Sequence, residues 1–135
     1  MAVLNQAVFD IVNKPGRIGV LATASKDGNP NAAYFGSPRL MKDGTLIMGL
    51  GDNLTLKNLT ENPKAVFFTV AGSPVTFTTP GYRLYLDVQA VEKTGPMIDG
   101  IREKIAAHAG AAAAKIIVAA VVFRITGIRK LVAAG

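Results

Sequence analysis

The spacing of apolar residues changes several times along this chain, and each change predicts a new element. Residues 2–13 repeat apolar side chains at the i, i+3, i+4 spacing of an amphipathic helix, which ends at Lys14-Pro15-Gly16. Three apolar strands follow over residues 18–24, 31–41 and 45–50, with Asp-Gly turns between them. Such short turns predict an antiparallel meander, because the crossover helix that parallel strands need is missing. The apolar helix positions are Val3, Leu4, Ala7, Val8, Ile11 and Val12.

The second half of the chain also alternates between helices and strands. We predict a short helix over 54–62, a strand over 65–70 and a loop over 72–81. A helix starting at Gly95-Pro96 fits the preference for proline in a first turn, and it frays through the alanines of 109–114. The last strand is predicted over 116–125, with a break at Gly127 and further pairing over 128–132 left open. The strand that starts at Tyr82 places Tyr82, Leu84, Leu86, Val88 and Ala90 on one face and Arg83, Asp87 and Gln89 on the other. The inward residues of the later helix are Ile98, Ile101 and Ile105.

These elements predict a mainly β fold with peripheral α-helices. The order contains about six strands, an N-terminal helix, a short helix and a helix before the last strand. A six-stranded antiparallel β-barrel, closed or split, accommodates it, because closure removes exposed strand edges. From the length, we expect residues 1–135 to form a single domain.

Composition narrows the cellular setting and the chemistry. Half of the residues are apolar, and there is no cysteine, which excludes disulfides, thiolate chemistry and cysteine-bound metals. Residues 1–14 lack the basic start and cleavage site of a signal peptide. The apolar stretch 110–123 is interrupted by Lys115 and is shorter than the ~18 uncharged residues of a membrane-spanning helix. We therefore expect a soluble, cytoplasmic protein that is not bound to a membrane.

The net charge of +6 raises the question of nucleic acid. The 15 basic residues are scattered, and only Arg129 and Lys130 are neighbours in the sequence. No basic stripe of the kind that binds nucleic acid is visible. A diffuse positive charge is typical of a solvated surface, although it also favours an anionic ligand.

No side chains are arranged for catalysis. His108 is the single histidine, and it stands among alanines with neither cysteine nor an acidic cluster nearby. The carboxylates are scattered, and no serine lies in a nucleophile motif. We predict no catalytic residue and no metal site, so any redox chemistry has to come from a bound cofactor.

One stretch has the features of a phosphate site. An apolar strand runs out through Gly49-Leu50-Gly51, and Asp52 or Asn53 stands where the N-cap of the next helix belongs. Free backbone N–H groups and the positive end of a helix dipole would meet there, and Lys57 lies one turn further on. The alternative is that both glycines only shape a connection between a strand and a helix.

Aromatic residues lie in the neighbouring predicted strand. Tyr34-Phe35-Gly36 either forms ordinary core with a bulge or supports a flat apolar ligand. In the second interpretation, the ligand's phosphate lies at the turn over residues 53–57.

The order of these motifs resembles the flavin-binding split β-barrels, the pyridoxamine 5'-phosphate oxidase-like proteins, and among them the small FMN-binding proteins and flavoredoxins. The resemblance covers nearly the whole chain. It is carried by Leu21-Ala22-Thr23 through Asp27-Gly28-Asn29-Pro30, by Asp43-Gly44-Thr45-Leu46, by Asn58-Leu59-Thr60-Glu61-Asn62-Pro63 and by residues 91–96.

The resemblance implies an FMN-binding homodimer with flavin at the subunit interface, acting as an oxidoreductase or electron-transfer protein. It assigns the flavin-contacting strand to Ala33, Tyr34 and Phe35, the strand exit beside the ring to Leu50, Gly51 and Asp52, the phosphate turn to Asn53, Leu54 and Thr55, and the loop from the other subunit to Thr79, Pro80, Gly81 and Tyr82. Backbone amides that hydrogen-bond the flavin ring would tune its reduction potential, and no acid or base side chain would be needed.

One position departs from the family pattern. Many family members carry lysine or arginine immediately before the residue matched by Thr55, and this chain has Leu54 there. Lys57 or Arg83 is then the candidate phosphate partner. Two alternatives stay open: a non-catalytic β-barrel that binds nucleic acid or another anion, and a family member that binds haem or F420 instead of FMN.

Overall fold

The computed structural model describes residues 4–132, which contain four helices and seven strands. The helices are α1 (Gln6–Val12), α2 (Leu54–Glu61), α3 (Pro96–Ala109) and α4 (Ala111–Ile116). The strands are β1 (Ile18–Ala24), β2 (Pro30–Tyr34), β3 (Arg39–Leu40), β4 (Thr45–Leu50), β5 (Lys64–Val70), β6 (Gly81–Glu92) and β7 (Ala119–Lys130). The predicted bounds of β1 and β4 are confirmed, and those of α2 and β5 differ by one residue.

All seven strands form one curled antiparallel sheet in the order β2-β1-β5-β6-β7-β4-β3. Its inner face encloses the core, where Phe67 and Phe123 are fully buried. Burial of aromatic and aliphatic side chains is the main stabilising term for such a sheet. The prediction of a mainly β split barrel with peripheral helices is confirmed.

The predicted second strand is wrong in one respect, because it divides into two. Residues 30–34 pair with β1, whereas Arg39 and Leu40 pair with β4. Residues 35–38 therefore cross from one edge of the sheet to the other, which we call the crossing segment. This division makes seven strands instead of six and replaces the predicted three-stranded meander.

Two irregularities change the predicted faces of the last long strands. The β6–β7 register shifts between Val88 and Ala90, so Val91 and not Ala90 joins Val88 against the core. A second shift, at Thr126, lets β7 continue through Gly127 to Lys130, so the predicted break at Gly127 is wrong and the pairing left open beyond it is present. A β-bulge inserts one residue and reverses the side-chain alternation beyond it.

The helices differ from their predictions mainly at their ends. Asn5 caps α1, accepting from Val8 N, and Val8 and Val12 are buried as predicted. Val3 lies outside the described residues. The alanine run forms the separate helix α4 after Gly110, whose φ of +90° breaks the chain away from α3.

A single buried arginine holds the crossing segment in place. Arg17 Nε donates to Val12 O at 2.8 Å, at the end of α1. Its Nη1 donates to Phe35 O at 3.1 Å, and its Nη2 donates to Pro38 O at 2.6 Å and to Gly36 O at 3.4 Å. The fork of a guanidinium suits several carbonyls at once. One side chain therefore ties the end of α1 to the crossing segment that joins β2 and β3.

The surroundings of Arg17 are shaped to receive it. Its guanidinium lies 5.1 Å from the centre of the Phe67 ring. A Cβ atom at Gly19 would lie 2.8 Å from Arg17 Nη1 and 2.6 Å from Phe67 Cζ, so only glycine fits there. Burial lowers the pKa of Arg17, Tyr34 raises it and the charge of Arg39 lowers it further, but a guanidinium stays protonated in proteins.

Removing this side chain should therefore destabilise the whole sheet. We expect Arg17→Met to lower the free energy of unfolding by about 3 kcal/mol or more, because buried carbonyls lose charged donors. Urea denaturation measures the loss. The control Lys93→Met removes one charge from an exposed turn and should cost less than about 0.5 kcal/mol. Equal effects of the two substitutions would contradict the role given to Arg17.

Candidate functional site

The start of α2 presents two free backbone donors. Asn53 is the N-cap, and its side chain accepts from Leu56 N at 3.0 Å, as the sequence predicted for Asp52 or Asn53. Within residues 4–132, the N–H groups of Leu54 and Thr55 have no intramolecular acceptor. Both therefore remain available to an anion at the positive end of the helix dipole.

The side chains around these donors differ in their access to solvent. Leu54 is 54% exposed, whereas Thr55 is only 2% exposed. Asp52 and Lys57 are also exposed. Leu54 is therefore the more accessible of the two residues to an anion, and Lys57 supplies the nearest positive charge along the helix.

Buried contacts fix the position of α2. Leu56 and Leu59 belong to the core, and Asn58 Nδ2 donates to Thr23 Oγ1 of β1 at 3.1 Å in a buried hydrogen bond. The helix is thus anchored on both its apolar and its polar inner side. Its first turn is held at a fixed place beside the sheet, which preorganises the two free donors.

The two glycines before α2 have a different role from the one predicted. Neither has a positive φ, so neither provides an unusual turn. A Cβ atom at Gly49 would lie 2.8 Å from Ile101 Cγ2 of α3, and one at Gly51 would lie 3.1 Å from Ile116 Cγ2 of α4. Gly49 and Gly51 make room for α3 and α4 to approach β4, a packing role that neither sequence interpretation included.

The predicted aromatic strand leads into the crossing segment, which reaches β4. Ser37 Oγ lies 3.5 Å from Gly49 O of β4, and α2 contacts β2. At the end of β2, Tyr34 is 65% exposed, whereas Ala33 and Phe35 are partly buried and Phe35 packs against the core. One chain therefore places an exposed aromatic ring and the α2 donors on neighbouring elements.

The remaining predicted residues lie elsewhere on the chain. Thr79 and Pro80 end the loop before β6, and Gly81 and Tyr82 begin that strand. β6 is the third strand from β2 in the sheet order, about 14 Å away at the usual strand spacing. Within one chain they do not join the site, and their contribution from a second subunit stays a prediction.

The outer face of the sheet carries an apolar row that the sequence reasoning missed. Tyr34 pairs with Val20, Val20 with Phe68, and Phe68 with Arg83 across four adjacent strands. Phe68 is 38% exposed, and Phe77 in the following loop is 89% exposed. The sequence signal for this row is the pair Phe67-Phe68. Consecutive residues of a strand face opposite sides, so only one of the two rings can point into the core.

A second concave region was also missed. A cleft of about 900 Å³ lies between α3, β4 and the crossing segment. The sequence predicted Ile98, Ile101 and Ile105 as inward residues of α3. Ile98 is fully buried, but Ile101 and Ile105 are only partly buried and line this cleft.

The sequence also predicted that the chain has no metal site and no membrane-spanning helix. His108 is exposed on α3, and its Nδ1 lies 2.8 Å from Lys104 O. Within the described part of the chain, no three residues among His, Cys, Asp and Glu gather as metal ligands. Among residues 4–132, no helix has the length and apolar character needed to cross a bilayer.

Comparison with known proteins places this geometry in context. The family model of pyridoxamine 5'-phosphate oxidase matches residues 4–130. No curated protein sequence matches the chain.

Three solved structures have a similar fold. An FMN-binding protein from Syntrophomonas wolfei subsp. wolfei has a TM-score of 0.83 and 21% identity, with 96% of this chain and 87% of that chain covered. An F420 reductase has a TM-score of 0.67 and 14% identity, with 93% and 98% covered. The haem storage protein HutZ from Vibrio cholerae has a TM-score of 0.63 and 15% identity, with 84% of both chains covered. At these identities the likeness shows the fold alone.

The packing role of Gly49 can be tested by adding one methyl group. We expect Gly49→Ala to destabilise the protein by about 1–3 kcal/mol, because overpacking forces neighbouring side chains to move. Gly36→Ala is the matched control, since a Cβ atom there meets no atom within 4 Å. Thermal unfolding compares the two. A Gly49→Ala protein as stable as the control would contradict the packing role.

Proposed function

This chain belongs to the pyridoxamine 5'-phosphate oxidase family, and from that membership we propose that it is an FMN-binding flavoprotein. Its activity would be electron transfer between a reduced donor and an acceptor. The proposal is supported by one observation: at the capped start of α2, the N–H groups of Leu54 and Thr55 have no intramolecular acceptor within residues 4–132.

The phosphate of FMN would bind at the first turn of α2. Two N–H groups and the helix dipole provide attraction without a side chain, and Lys57 adds a positive charge one turn further on. Arg83 is less suitable, because its Nε donates to Lys130 O at 3.2 Å on a strand distant from α2. We therefore favour Lys57 as the charged partner.

The isoalloxazine ring would lie against β2, with Tyr34 on one side and the backbone of Leu50 and Gly51 at its edge. The bound flavin supplies the redox chemistry. The chain's own groups would bind the ring, orient it and limit its contact with water, and no side chain is assigned to proton transfer. A cytoplasmic location is part of the proposal, and the lack of cysteine is compatible with it.

The proposed active form is a homodimer, because residues 79–82 lie three strands from β2 within one chain and would reach the flavin only from a second copy. The row of Tyr34, Val20 and Phe68 offers an apolar surface to a second copy. Exposed aromatic rings are typical of interface centres. The loop over residues 79–82 of the second copy would then cover the flavin bound by the first.

Haem or F420 is the competing ligand class. It is favoured by Leu54, which stands where the resemblance expects a basic residue, and by neighbours that include HutZ and an F420 reductase. The visible spectrum of the purified protein separates these ligands, since haem has an intense Soret band that flavins lack.

Restoring the basic residue before Thr55 tests the phosphate site directly. We expect Leu54→Arg to bind FMN about tenfold more tightly, because an exposed side chain at this turn gains a charged hydrogen bond to phosphate. Quenching of flavin fluorescence measures both affinities. Riboflavin, which lacks the phosphate, is the matched ligand control and should bind both proteins equally.

The same assay has two outcomes that count against the proposal. FMN that binds neither protein removes the flavin assignment. If Leu54→Arg raised the affinity for riboflavin as much as the affinity for FMN, the phosphate of FMN would not bind at the start of α2.

A charge in the apolar row should separate the two copies. We expect Phe68→Glu to halve the mass measured by light scattering from twice 14.1 kDa to 14.1 kDa, because an unpaired carboxylate is costly inside an apolar interface. Ile116→Glu, at an apolar residue of α4 that is 65% exposed, should stay dimeric. A Phe68→Glu protein that remains a dimer would contradict this interface.

A further inference from the structure

The cleft beside α3 is large for a chain of this size. Its volume of about 900 Å³ lies near the upper end of the range found for small-molecule pockets. The crossing segment, β4 and α3 form its walls. Tyr34 is the one residue that it shares with the positions expected to hold FMN.

The body of the cleft is apolar. β4 contributes Ile47 and Met48, and α3 contributes Met97, Ile101 and Ile105. Apart from Met48, these side chains are only partly buried. A lining of flexible methionine and branched aliphatic side chains adapts to an apolar ligand.

The charged groups of the cleft are all basic. They are Lys14, Arg17, Arg39 and Lys104, and among the described residues no aspartate or glutamate lines the cleft. Arg17 is occupied by backbone carbonyls, so Lys14, Arg39 and Lys104 remain for a ligand. Positive charge without an acidic partner, next to low-dielectric walls, attracts an anion.

Gly100 leaves space in the wall that α3 provides. It lies in the middle of the helix, where glycine is among the poorest helix formers. A Cβ atom there would meet no atom within 4 Å, so the methyl group of an alanine fits without a clash. Glycine at position 100 therefore keeps this part of the cleft open, although alanine, a better helix former, would also fit there.

We propose that this cleft binds a small organic anion with an apolar body, of the long-chain carboxylate class. The carboxylate would contact Lys14, Arg39 and Lys104, and the chain would lie along α3 and β4. The apolar lining, the uniformly basic charge and the volume together carry the proposal. It goes beyond the proposed flavin function and does not depend on it, because the two sites meet only at Tyr34.

Competition between matched amphiphiles tests the charge preference. Cis-parinarate, a fluorescent polyene carboxylate, reports occupancy of the cleft, and dodecanoate competes with it below its micelle concentration. We expect one parinarate per chain, displaced by dodecanoate but not by dodecyltrimethylammonium, which has the same tail with a positive head. Equal displacement by both amphiphiles would overturn the proposal, and so would the absence of parinarate binding.

Three variants connect this binding to the cleft. Gly100→Leu should weaken parinarate binding at least tenfold without lowering the melting temperature, whereas Gly100→Ala should keep most of the affinity. The double variant Arg39→Gln, Lys104→Gln should weaken binding about tenfold, and Lys93→Gln, at an exposed turn, should not. An unchanged parinarate affinity in the Gly100→Leu variant would show that the ligand binds outside the cleft. Because the assay uses protein without flavin, it keeps its meaning if FMN does not bind.

Discussion

The buried guanidinium of Arg17 is the interaction on which the arrangement of the molecule depends. It joins the end of α1 to the crossing segment through four carbonyl oxygens, two of them within 2.8 Å. A charged side chain in the interior is favourable only where its donors are satisfied. Gly19 supports this contact by leaving the space that the guanidinium occupies.

The crossing segment separates two concave regions with different characters. On one side, α2 packs against β1 and β2 and presents the free backbone donors of its first turn. On the other side lies the apolar cleft with its basic side chains. The crossing segment provides one wall of the cleft, so the contacts of Arg17 define the geometry of that wall.

The sequence was sufficient for elements whose signals are local. β1 and β4 are bounded by turn residues on both sides, and Asn53 is a strong N-cap followed by apolar helix positions. The division of residues 31–41 was not predictable in the same way. It depends on contacts between Arg17 and residues about 20 positions away, which have no periodic signature.

The site shows the same division between local and long-range information. The free donors at α2 follow from its N-cap, which the sequence displays. The close approach of Ile101 and Ile116 explains Gly49 and Gly51, but their neighbours in space are more than 50 residues away in the chain. Burial of Thr55 and the apolar row at Val20 likewise depend on how helices and strands meet, so local patterns did not reveal them.

The central claim is that the first turn of α2 holds the phosphate of a flavin whose ring lies along β2. Amide chemical shifts recorded by NMR during titration with FMN test this claim most directly. The account predicts the largest shifts at the N–H groups of Leu54 and Thr55, accompanied by shifts at Ala33 and Tyr34, and predicts that riboflavin reproduces only the β2 shifts. Saturable FMN binding that leaves the amides of Leu54 and Thr55 unmoved would contradict it.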